Sequence, residues 1–230
     1  MKLKVTFVCL LLTITAIAQH NSKPKEMNKK TINPNLPTIG ILIFEGFLTN
    51  EVTAPLDVFT KKDTKGEKLF NVILIAKEDK MYLSEEGLNV HPDYTIYNTP
   101  KLNVLVVPSS MNPEKQTKDP ELINFIRQEN KTTDYMASHC AGAFMLGESG
   151  VADGKQIVTY CSGSKNLQKE YPKLVVQDDT KVKVVKDGKI ISSNGNLVSY
   201  IASLDLLEEM ISIEHRKHVE EELLIDKLCK

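Results

Sequence analysis

The stretch from Asp134 to Ser149 constrains the fold more than any other part of this 230-residue chain. It reads as a short buried strand that ends at Cys140 and continues at once into a helix. Ala141 and Gly142 have almost no side chain, so the backbone can turn sharply directly after the cysteine. A sharp turn from strand to helix with a nucleophile at its apex is the geometry of a nucleophile elbow. The sequence therefore predicts an α/β fold that presents Cys140 at such an elbow.

The chemistry of Cys140 depends on its surroundings. The unpaired N–H groups and the positive dipole end of a new helix favour thiolate over thiol, which leads to the hypothesis of an activated cysteine. The alternative is that Cys140 only fills space, because free cysteine is among the most buried residue types. The position alone does not decide between the two readings, and a charge partner elsewhere in the chain is needed.

Apolar runs of strand length alternate with helical patterns along most of the chain. Such alternation predicts a parallel sheet that is covered by helices on both faces. In the helix that follows residue 119, Asp119 is the predicted N-cap and Pro120 lies in the first turn. The region 174–192 differs, because its short runs on either side of a 186–189 turn predict antiparallel strands. The predicted strands are 38–44, 69–76, 103–108, 133–138, 175–176, 182–185 and 190–191, and the predicted helices are 51–62, 119–130, 141–149, 196–211 and 214–228.

The first eighteen residues have the pattern of a secretory signal peptide. Lys2 and Lys4 precede an apolar run that closes on the small-x-small sequence of residues 16–18. Cleavage after Ala18 would give an exported protein, periplasmic or secreted, without stable membrane insertion, whereas an uncleaved anchor is the alternative. Residues 19–36 are polar and proline-bearing, which predicts a flexible lead, and residues 37–230 are the right length for one domain.

Composition and cysteine spacing exclude several function classes. A net charge of −1, no tryptophan and no basic stripe argue against a nucleic-acid partner. Three cysteines, Cys140, Cys161 and Cys229, remain after processing. The odd number leaves at least one thiol unpaired, while a bridge between Cys161 and Cys229 stays open. The absence of a C-x-x-C pair leaves a zinc ribbon or a thioredoxin-type site unsupported, and we expect no metal and no organic cofactor.

Two further segments follow predicted strands and would lie at the same sheet edge as Cys140. Glu51 begins the first helix, where its carboxyl could orient the thiol and move a proton, or could merely complement the helix dipole. Ser109 and Ser110 follow another strand, and backbone N–H groups there, with that of Ala141, could hold an oxyanion. The alternative is that this second segment is an ordinary exit from a strand into a loop.

Five segments in this order resemble the ThiJ/PfpI family of the class I glutamine amidotransferase-like superfamily. Across roughly residues 38–226 the chain is most similar to the isonitrile hydratase-like branch, which also occurs as the ligand domain of AraC-type regulators. The resemblance implies a flavodoxin-like three-layer α/β sandwich, a mainly parallel central sheet, a nucleophile elbow and a homodimer. The matching segments are Glu51 with 55–59, 106–108, 139–142, 151–155 and 187–195.

The resemblance also implies roles for individual residues. Cys140 matches the elbow cysteine of the family and Glu51 matches the acid that contacts it. Ala141, Gly142 and the 108–110 loop, which contains Ser109 and Ser110, match the oxyanion and binding region.

Two departures from the family pattern matter for function. Tyr160 stands where many members have a histidine, and Ser109 and Ser110 replace the glycines of a Pro-Gly-Gly turn. A Cys-His-acid triad by that route is therefore not expected, which argues against peptidase or amidase activity. We predict a cysteine-dependent hydratase or hydrolase that forms a covalent thiol adduct with a small electrophile, such as an isonitrile, an aldehyde or an acyl compound. The alternative is a redox-responsive or small-molecule-binding protein without enzymatic activity.

The histidines are not expected to be catalytic. His139 directly precedes Cys140, and neighbouring strand residues face opposite sides, so its ring is predicted to point away from the thiol. His215 and His218 are spaced i, i+3 among Glu and Lys residues, which favours a solvated charged face over a metal site.

Overall fold

The computed structural model describes residues 30–228, so the predicted signal peptide, most of the predicted lead, and Cys229 lie outside the described residues. The part that is described begins with a segment bound to the sheet, because the Asn71 side chain accepts a hydrogen bond from Asn33 N–H and donates to Asn33 O. The elements are β1 (Thr38–Leu42), α1 (Thr49–Thr60), β2 (Asn71–Ala76), β3 (Tyr82–Leu83), β4 (Asn89–Val90), β5 (Tyr94–Thr95), β6 (Val104–Val107), α2 (Glu114–Thr117), α3 (Pro120–Glu129), β7 (Tyr135–His139), α4 (Gly142–Ser149), β8 (Gln156–Ile157), α5 (Ser164–Glu170), β9 (Val175–Val176), β10 (Val184–Asp187), β11 (Ile190–Ser193), α6 (Val198–Met210), α7 (Ile213–Glu222) and a 3-10 turn (Ile225–Lys227).

The central sheet is mainly parallel, as predicted. Its strand order is β10-β11-β7-β6-β1-β2-β5, and β10 with β11 is the antiparallel pair at one edge. The central strands β1 and β6 are buried along their whole length because helices cover both faces. Continuous apolar runs, rather than alternating ones, are what such strands require.

The helices form the outer two layers of a flavodoxin-like sandwich. On one face α1 packs against α6, and α7 packs against α6 in turn. On the other face α4 lies against β6 and β7 and contacts α2, α3 and α5. Asp119 caps α3 as predicted, since its Oδ1 accepts hydrogen bonds from the N–H groups of Glu121 and Leu122. Within the described residues, no helix is long and apolar enough to cross a membrane.

The region 174–192 differs in part from its prediction. The β10–β11 hairpin is antiparallel, but β9 pairs in parallel with β8. Strand β11 also joins the central sheet parallel to β7, which makes it an interior strand rather than part of a separate hairpin. All four of its residues are buried, because α6 packs against it and Ser192 Oγ accepts a hydrogen bond of 2.9 Å from Val158 N–H. This position brings the chain after residue 193 to the edge where Cys140 lies.

Helix boundaries differ modestly from their predictions. The last helix ends at Glu222 instead of 228, where Leu224 adopts a left-handed conformation with φ 57°. The short helices α2 and α5 were not predicted, because neither is long enough to show a helical period.

Candidate active site

Cys140 lies at a strained elbow between β7 and α4, as predicted. Its φ of 51° is in the left-handed region, which is uncommon for a residue other than glycine. Both of its backbone groups are held: Cys140 N–H donates to Ser193 O at 2.9 Å, and the Thr159 hydroxyl donates to Cys140 O at 2.9 Å. Strain of this kind persists only where the surroundings fix the conformation, and it is concentrated at functional sites.

Two glycines allow the elbow to fit into the sheet edge. A Cβ on Gly142 would lie within 3.0 Å of the carbonyl oxygen of Val107, so α4 can begin against the end of β6 only with glycine there. A Cβ on Gly195, whose φ is +82°, would lie within 3.0 Å of both Cys140 Cβ and Glu51 Oε1. Gly195 thus packs against the predicted nucleophile and the predicted acid at once.

Glu51 is a fully buried carboxyl that joins two loops of the site. Its Oε2 accepts a hydrogen bond from Ser109 N–H at 2.7 Å, and its Oε1 accepts one from Asn196 N–H at 3.2 Å. The first loop follows β6 and the second follows β11, while Glu51 itself lies in the first turn of α1. The carboxyl also lies next to the Cys140 side chain, because a single Cβ on Gly195 would be within 3.0 Å of both Glu51 Oε1 and Cys140 Cβ, so the structure brings the two predicted site residues together.

The electrostatics of the pair differ from the prediction for the thiol. Burial raises the pKa of Glu51 to about 7, although the Ser109 and Asn196 N–H groups stabilise the carboxylate. Burial first, and the charge of Glu51 second, raise the pKa of Cys140 to about 12. The Ser109 hydroxyl and Ala141 N–H favour the thiolate, yet they do not outweigh desolvation. At neutral pH the sulfur is therefore a thiol, and the group that titrates there is Glu51.

The loop after β6 is arranged differently from the predicted oxyanion site. Ser109 N–H is committed to Glu51, and the Ser110 hydroxyl donates to Gln116 Oε1 at 2.7 Å. The Ser109 hydroxyl donates to Ser110 O at 3.2 Å and lies near the sulfur, so its single proton can turn toward a thiolate. The donors that remain next to the sulfur are this hydroxyl and Ala141 N–H.

A cleft of about 830 Å³ is lined in part by the elbow helix α4, and its wall combines aromatic rings with charged side chains such as Arg127, Glu148 and Glu170. Its wall includes Tyr160 and Phe144, which stack with ring centroids 6.1 Å apart, and Tyr171, which meets Phe144 edge-on at 6.1 Å. Phe144 lies one turn into the elbow helix, and Tyr160 directly follows the threonine that holds the carbonyl of Cys140. Cys140 itself does not line the cleft and is 8% exposed, so Phe144 and Tyr160 are the residues that connect the cleft to the elbow.

A family model described as "DJ-1/PfpI family" matches residues 37–209. The chain belongs to the DJ-1/PfpI family. It is 26% identical over 185 residues to the isonitrile hydratase of Pseudomonas putida, covering 80% of this chain and 77% of that protein. Among solved structures, it is similar to a THiJ/PfpI family protein from Pseudomonas syringae, with TM-score 0.73, 18% identity and coverage of 90% of this chain and 84% of that one. An AraC family transcriptional regulator from Pseudomonas putida matches with TM-score 0.69 and 19% identity over 81% of this chain and 99% of that one.

In this DJ-1/PfpI domain, His139 supports the site from beneath. It is 1% exposed, and its Nδ1 lies 2.8 Å from Ser193 Oγ, which also accepts a hydrogen bond from Gly195 N–H at 3.2 Å. Burial lowers the pKa of His139 to about 3, so the ring is neutral at physiological pH. Its hydrogen bond goes to Ser193 and not to the thiol.

The two histidines of α7 differ from their prediction in one respect. His215 is buried, 8% exposed, rather than solvated, because the N-terminal turn of α7 packs inward. His218 Nε2 lies 3.3 Å from Glu222 Oε1, which agrees with a charged face. Among the residues that the structure describes, no group of three or more His, Cys, Asp or Glu side chains could hold a metal ion.

Three residues that shape the site were not singled out from the sequence of this DJ-1/PfpI chain. These residues are Ser193, Gly195 and Asn196, and they contact Cys140 or Glu51. They are distant from Glu51 in sequence, since Asn196 follows it by 145 positions. The segment 187–195 carries the signal that could have identified them. Its final Asn-Gly pair marks a turn, and a turn after a buried strand lies at the sheet edge.

Proposed function

We propose that this protein is a cysteine-dependent hydratase or hydrolase that adds water to a small electrophile through a covalent adduct on Cys140. The observation that carries the proposal is the buried Glu51 carboxyl, with a pKa of about 7, which lies next to the Cys140 side chain at a strained elbow. A general base is most effective when its pKa lies near the working pH. The similarity to an isonitrile hydratase supports an isonitrile as the first substrate to examine.

The first step is addition of the thiol to the reactive carbon. Glu51 as carboxylate takes the proton of Cys140 while the sulfur forms a bond to the substrate carbon, so no free thiolate has to accumulate. With an isonitrile, R–NC, the same proton is then delivered to that carbon. The product of the step is a thioimidate, R–N=CH–S–Cys140, and Glu51 is again a carboxylate.

The second step is hydration. Water adds across the C=N bond of the thioimidate, with Glu51 relaying the proton from the water to the nitrogen. The tetrahedral adduct then breaks its C–S bond, the hydroxyl proton returns through Glu51 to the sulfur, and the formamide R–NH–CHO leaves. The sum is one isonitrile and one water converted to one formamide, with no oxidant, metal or cofactor consumed. The donors next to the sulfur, Ala141 N–H and the Ser109 hydroxyl, stabilise charge during both steps.

Turnover measured on a panel of isonitriles, 2-oxoaldehydes and amides tests the proposal. We expect hydration of at least one member, with loss of activity of about 10³-fold or more in Cys140→Ser, because the nucleophile is removed. Cys161→Ser is the matched control and should retain activity, since Cys161 is exposed and lies outside the site. Turnover that survives in Cys140→Ser, or that is absent for every class on the panel, contradicts the proposal.

The second candidate function is small-molecule binding without turnover. The cleft of about 830 Å³ beside the elbow favours it, as does similarity to an AraC family regulator. A redox-responsive thiol is less well supported, because oxidation proceeds through the thiolate and burial raises the pKa of Cys140 to about 12. Ligand binding that is unaffected by Cys140→Ser, with no turnover, would favour the binding protein.

Export and dimerisation are also proposed. Residues 1–18 support a cleaved signal peptide, and intact-mass measurement of protein made in a bacterial host should show a chain that begins at Gln19. A full-length mass would contradict this. Light scattering of the processed protein should give twice the mass of one chain, and a monomer mass would contradict the dimer.

A further inference from the structure

We propose that the phenol of Tyr160 donates a hydrogen bond to the heteroatom on the reacting carbon of the substrate, and that the adjoining cleft holds the rest of that substrate. The substrate class is then an electrophilic carbon that bears nitrogen or oxygen and carries a planar or aromatic group. The inference rests on the proposed function, because it assumes addition of the Cys140 thiol to this carbon.

The site needs a further donor. When a thiol adds to a C=O group, negative charge develops on the oxygen. With an isonitrile, negative charge develops on the nitrogen in the second step, when water adds to the C=N bond of the thioimidate, and fixed donors stabilise such charge most effectively. Ser109 N–H already donates to Glu51 at 2.7 Å, so it is not free for this role. Ala141 N–H and the Ser109 hydroxyl both lie next to the sulfur and interact with it.

Tyr160 follows a residue that is bonded to the elbow backbone, and it also lines the cleft. The hydroxyl of Thr159 donates to Cys140 O, and Asn194 Nδ2 donates to Thr159 O at 2.7 Å, so the backbone that carries Tyr160 is tied to the elbow. Its ring forms part of the cleft wall together with Phe144. Burial, and then the charge of a Cys140 thiolate, raise the pKa of Tyr160, so the phenol keeps its proton at neutral pH.

The ring of Tyr160 is held between two neighbours. Phe144 stacks on it with an interplanar angle of 17°, and a Cβ on Gly163 would lie 2.7 Å from the ring carbon Cζ. The turn that carries this glycine is fixed by Asp179, whose carboxylate accepts hydrogen bonds from Ser162 N–H at 2.9 Å and Ser164 N–H at 2.8 Å. A donor on a ring that cannot move is prepared for the transition state without reorganisation.

The hydroxyl of Tyr160 is also available. In the described part of the chain it has no hydrogen-bond acceptor, whereas the hydroxyl of Tyr94 donates to Lys30 O at 2.7 Å and that of Tyr200 to Asp57 Oδ2 at 2.7 Å. The ring faces of Tyr160 are packed, but its hydroxyl has no acceptor in the described part of the chain. The hydroxyl can therefore donate its hydrogen bond to a ligand.

The cleft indicates the size and shape of the substrate. Its volume of about 830 Å³ exceeds what a one-carbon electrophile fills, and its wall places the Tyr160 and Tyr171 rings beside charged side chains such as Arg127 and Glu148. A flat group could lie against the rings while its polar substituents face the charged side chains. Aryl isonitriles and aromatic aldehydes fit these features better than their short aliphatic counterparts.

The test uses benzaldehyde labelled with carbon-13 at its carbonyl as the probe. The thiol adds to the carbonyl carbon, the C=O bond becomes a single bond, and the thiol proton ends on the oxygen as a hemithioacetal. Carbon-13 NMR measures the fraction of Cys140 adduct, which is absent in Cys140→Ser. The variant is Tyr160→Phe, which removes only the hydroxyl, and the matched control is Tyr97→Phe, because Tyr97 is exposed and lies outside the cleft.

We expect Tyr160→Phe to lower the adduct equilibrium constant about tenfold, because a neutral hydrogen bond of ordinary strength is lost, and Tyr97→Phe to change it less than twofold. The rate of Cys140 alkylation by iodoacetamide should be the same in Tyr160→Phe as in wild type. This reaction develops no charge on a heteroatom that the Tyr160 hydroxyl could stabilise. An unaltered adduct in Tyr160→Phe, or an equal loss of adduct and alkylation, overturns the role of Tyr160 while the covalent step stands. No adduct in the wild-type protein overturns both this inference and the proposed function.

Discussion

Oε2 of Glu51 accepts a hydrogen bond of 2.7 Å from the backbone N–H of Ser109, so the acid of the site and the loop after β6 hold each other in place. The contact has two consequences. It fixes the carboxyl next to Cys140, and it removes one amide from the donors that a substrate could use. Burial, reinforced by the charge of Glu51 on Cys140, then outweighs the helix dipole in determining which group of the pair titrates near neutral pH.

The first prediction concerns the pH dependence of stability. The folded state raises the pKa of Glu51 from 4.5 to about 7, so between these values the folded protein binds a proton that the unfolded chain has lost. The contribution of Glu51 to the free energy of unfolding is therefore fully present below about pH 4.5 and is lost as pH rises through about 7. We therefore compare the free energy of unfolding of wild type with that of Glu51→Gln. The wild-type value minus the variant value should fall by on the order of 3 kcal/mol as pH rises across this range.

Urea unfolding followed by circular dichroism at several pH values measures this difference. Subtracting the free energy of unfolding of Glu51→Gln from that of wild type cancels the contributions of the titratable groups that both proteins share. His139 is one of these, and it has the opposite sign: its pKa is lowered to about 3, so its contribution is lost as pH falls. A difference that stays constant between pH 4.5 and 7 would show that the carboxyl titrates normally in the folded protein.

The second prediction concerns Gly195. Alanine there must adopt a φ of +82° and place its Cβ within 3.0 Å of Cys140 and Glu51. Gly154→Ala is the control, because Gly154 has a φ of +74° with nothing within 4 Å of the added Cβ. We expect a loss of about 1 kcal/mol for the control from backbone strain and roughly 2–4 kcal/mol for Gly195→Ala, where overpacking adds to it.

Thermal or urea unfolding of the two alanine variants separates strain from crowding. Gly195→Ala should also slow alkylation of Cys140, because the loop must move relative to the sulfur. Equal losses of stability in both variants would mean that the loop yields freely and that Gly195 does not fix the site.

The third prediction concerns the hydrogen bond beneath the elbow. Ser193 Oγ is 2.8 Å from His139 Nδ1 and accepts from Gly195 N–H, so Ser193→Ala leaves two buried groups unpaired. The expected cost is about 1–3 kcal/mol. Ser138→Ala is the matched control on the neighbouring strand: Ser138 is equally buried, and its Oγ has no partner among the described residues.

Chemical denaturation compares the two serine variants directly. Ser138→Ala should be neutral or slightly stabilising, because it removes a buried hydroxyl that makes no hydrogen bond. If Ser193→Ala were equally neutral, the His139–Ser193 contact would contribute nothing to the loop that binds Glu51.

The sequence predicted the features that depend on local pattern. Continuous apolar runs such as Val104–Val107 predicted a buried parallel sheet, and the small residues after Cys140 predicted the elbow. The common sheet edge predicted that Glu51 and Cys140 would meet. The position of β11 was not predictable in the same way, because a four-residue strand that ends in two serines has no strong period.

What the sequence did not predict depends on tertiary structure. The helix dipole at Cys140 is local and can be read from the order of strand and helix, but desolvation depends on everything packed around the sulfur. Burial raises the pKa of Cys140, opposite to the expected direction, because the loop at Gly195 covers the thiol from a distant part of the chain. Ser109 and Glu51 are also far apart in sequence, so the hydrogen bond from Ser109 N–H to Glu51 was not predictable from local pattern either.

The central claim is that Glu51 is the proton acceptor for a neutral Cys140 thiol. Carbon-13 NMR titration from about pH 5 to 10 follows both groups, with labels at glutamate Cδ and cysteine Cβ and assignments from Glu51→Gln and Cys140→Ser. We expect Glu51 to ionise at about pH 7 while Cys140 remains a thiol beyond pH 9. A Cys140 thiolate at pH 7 beside a still-protonated Glu51 would contradict it.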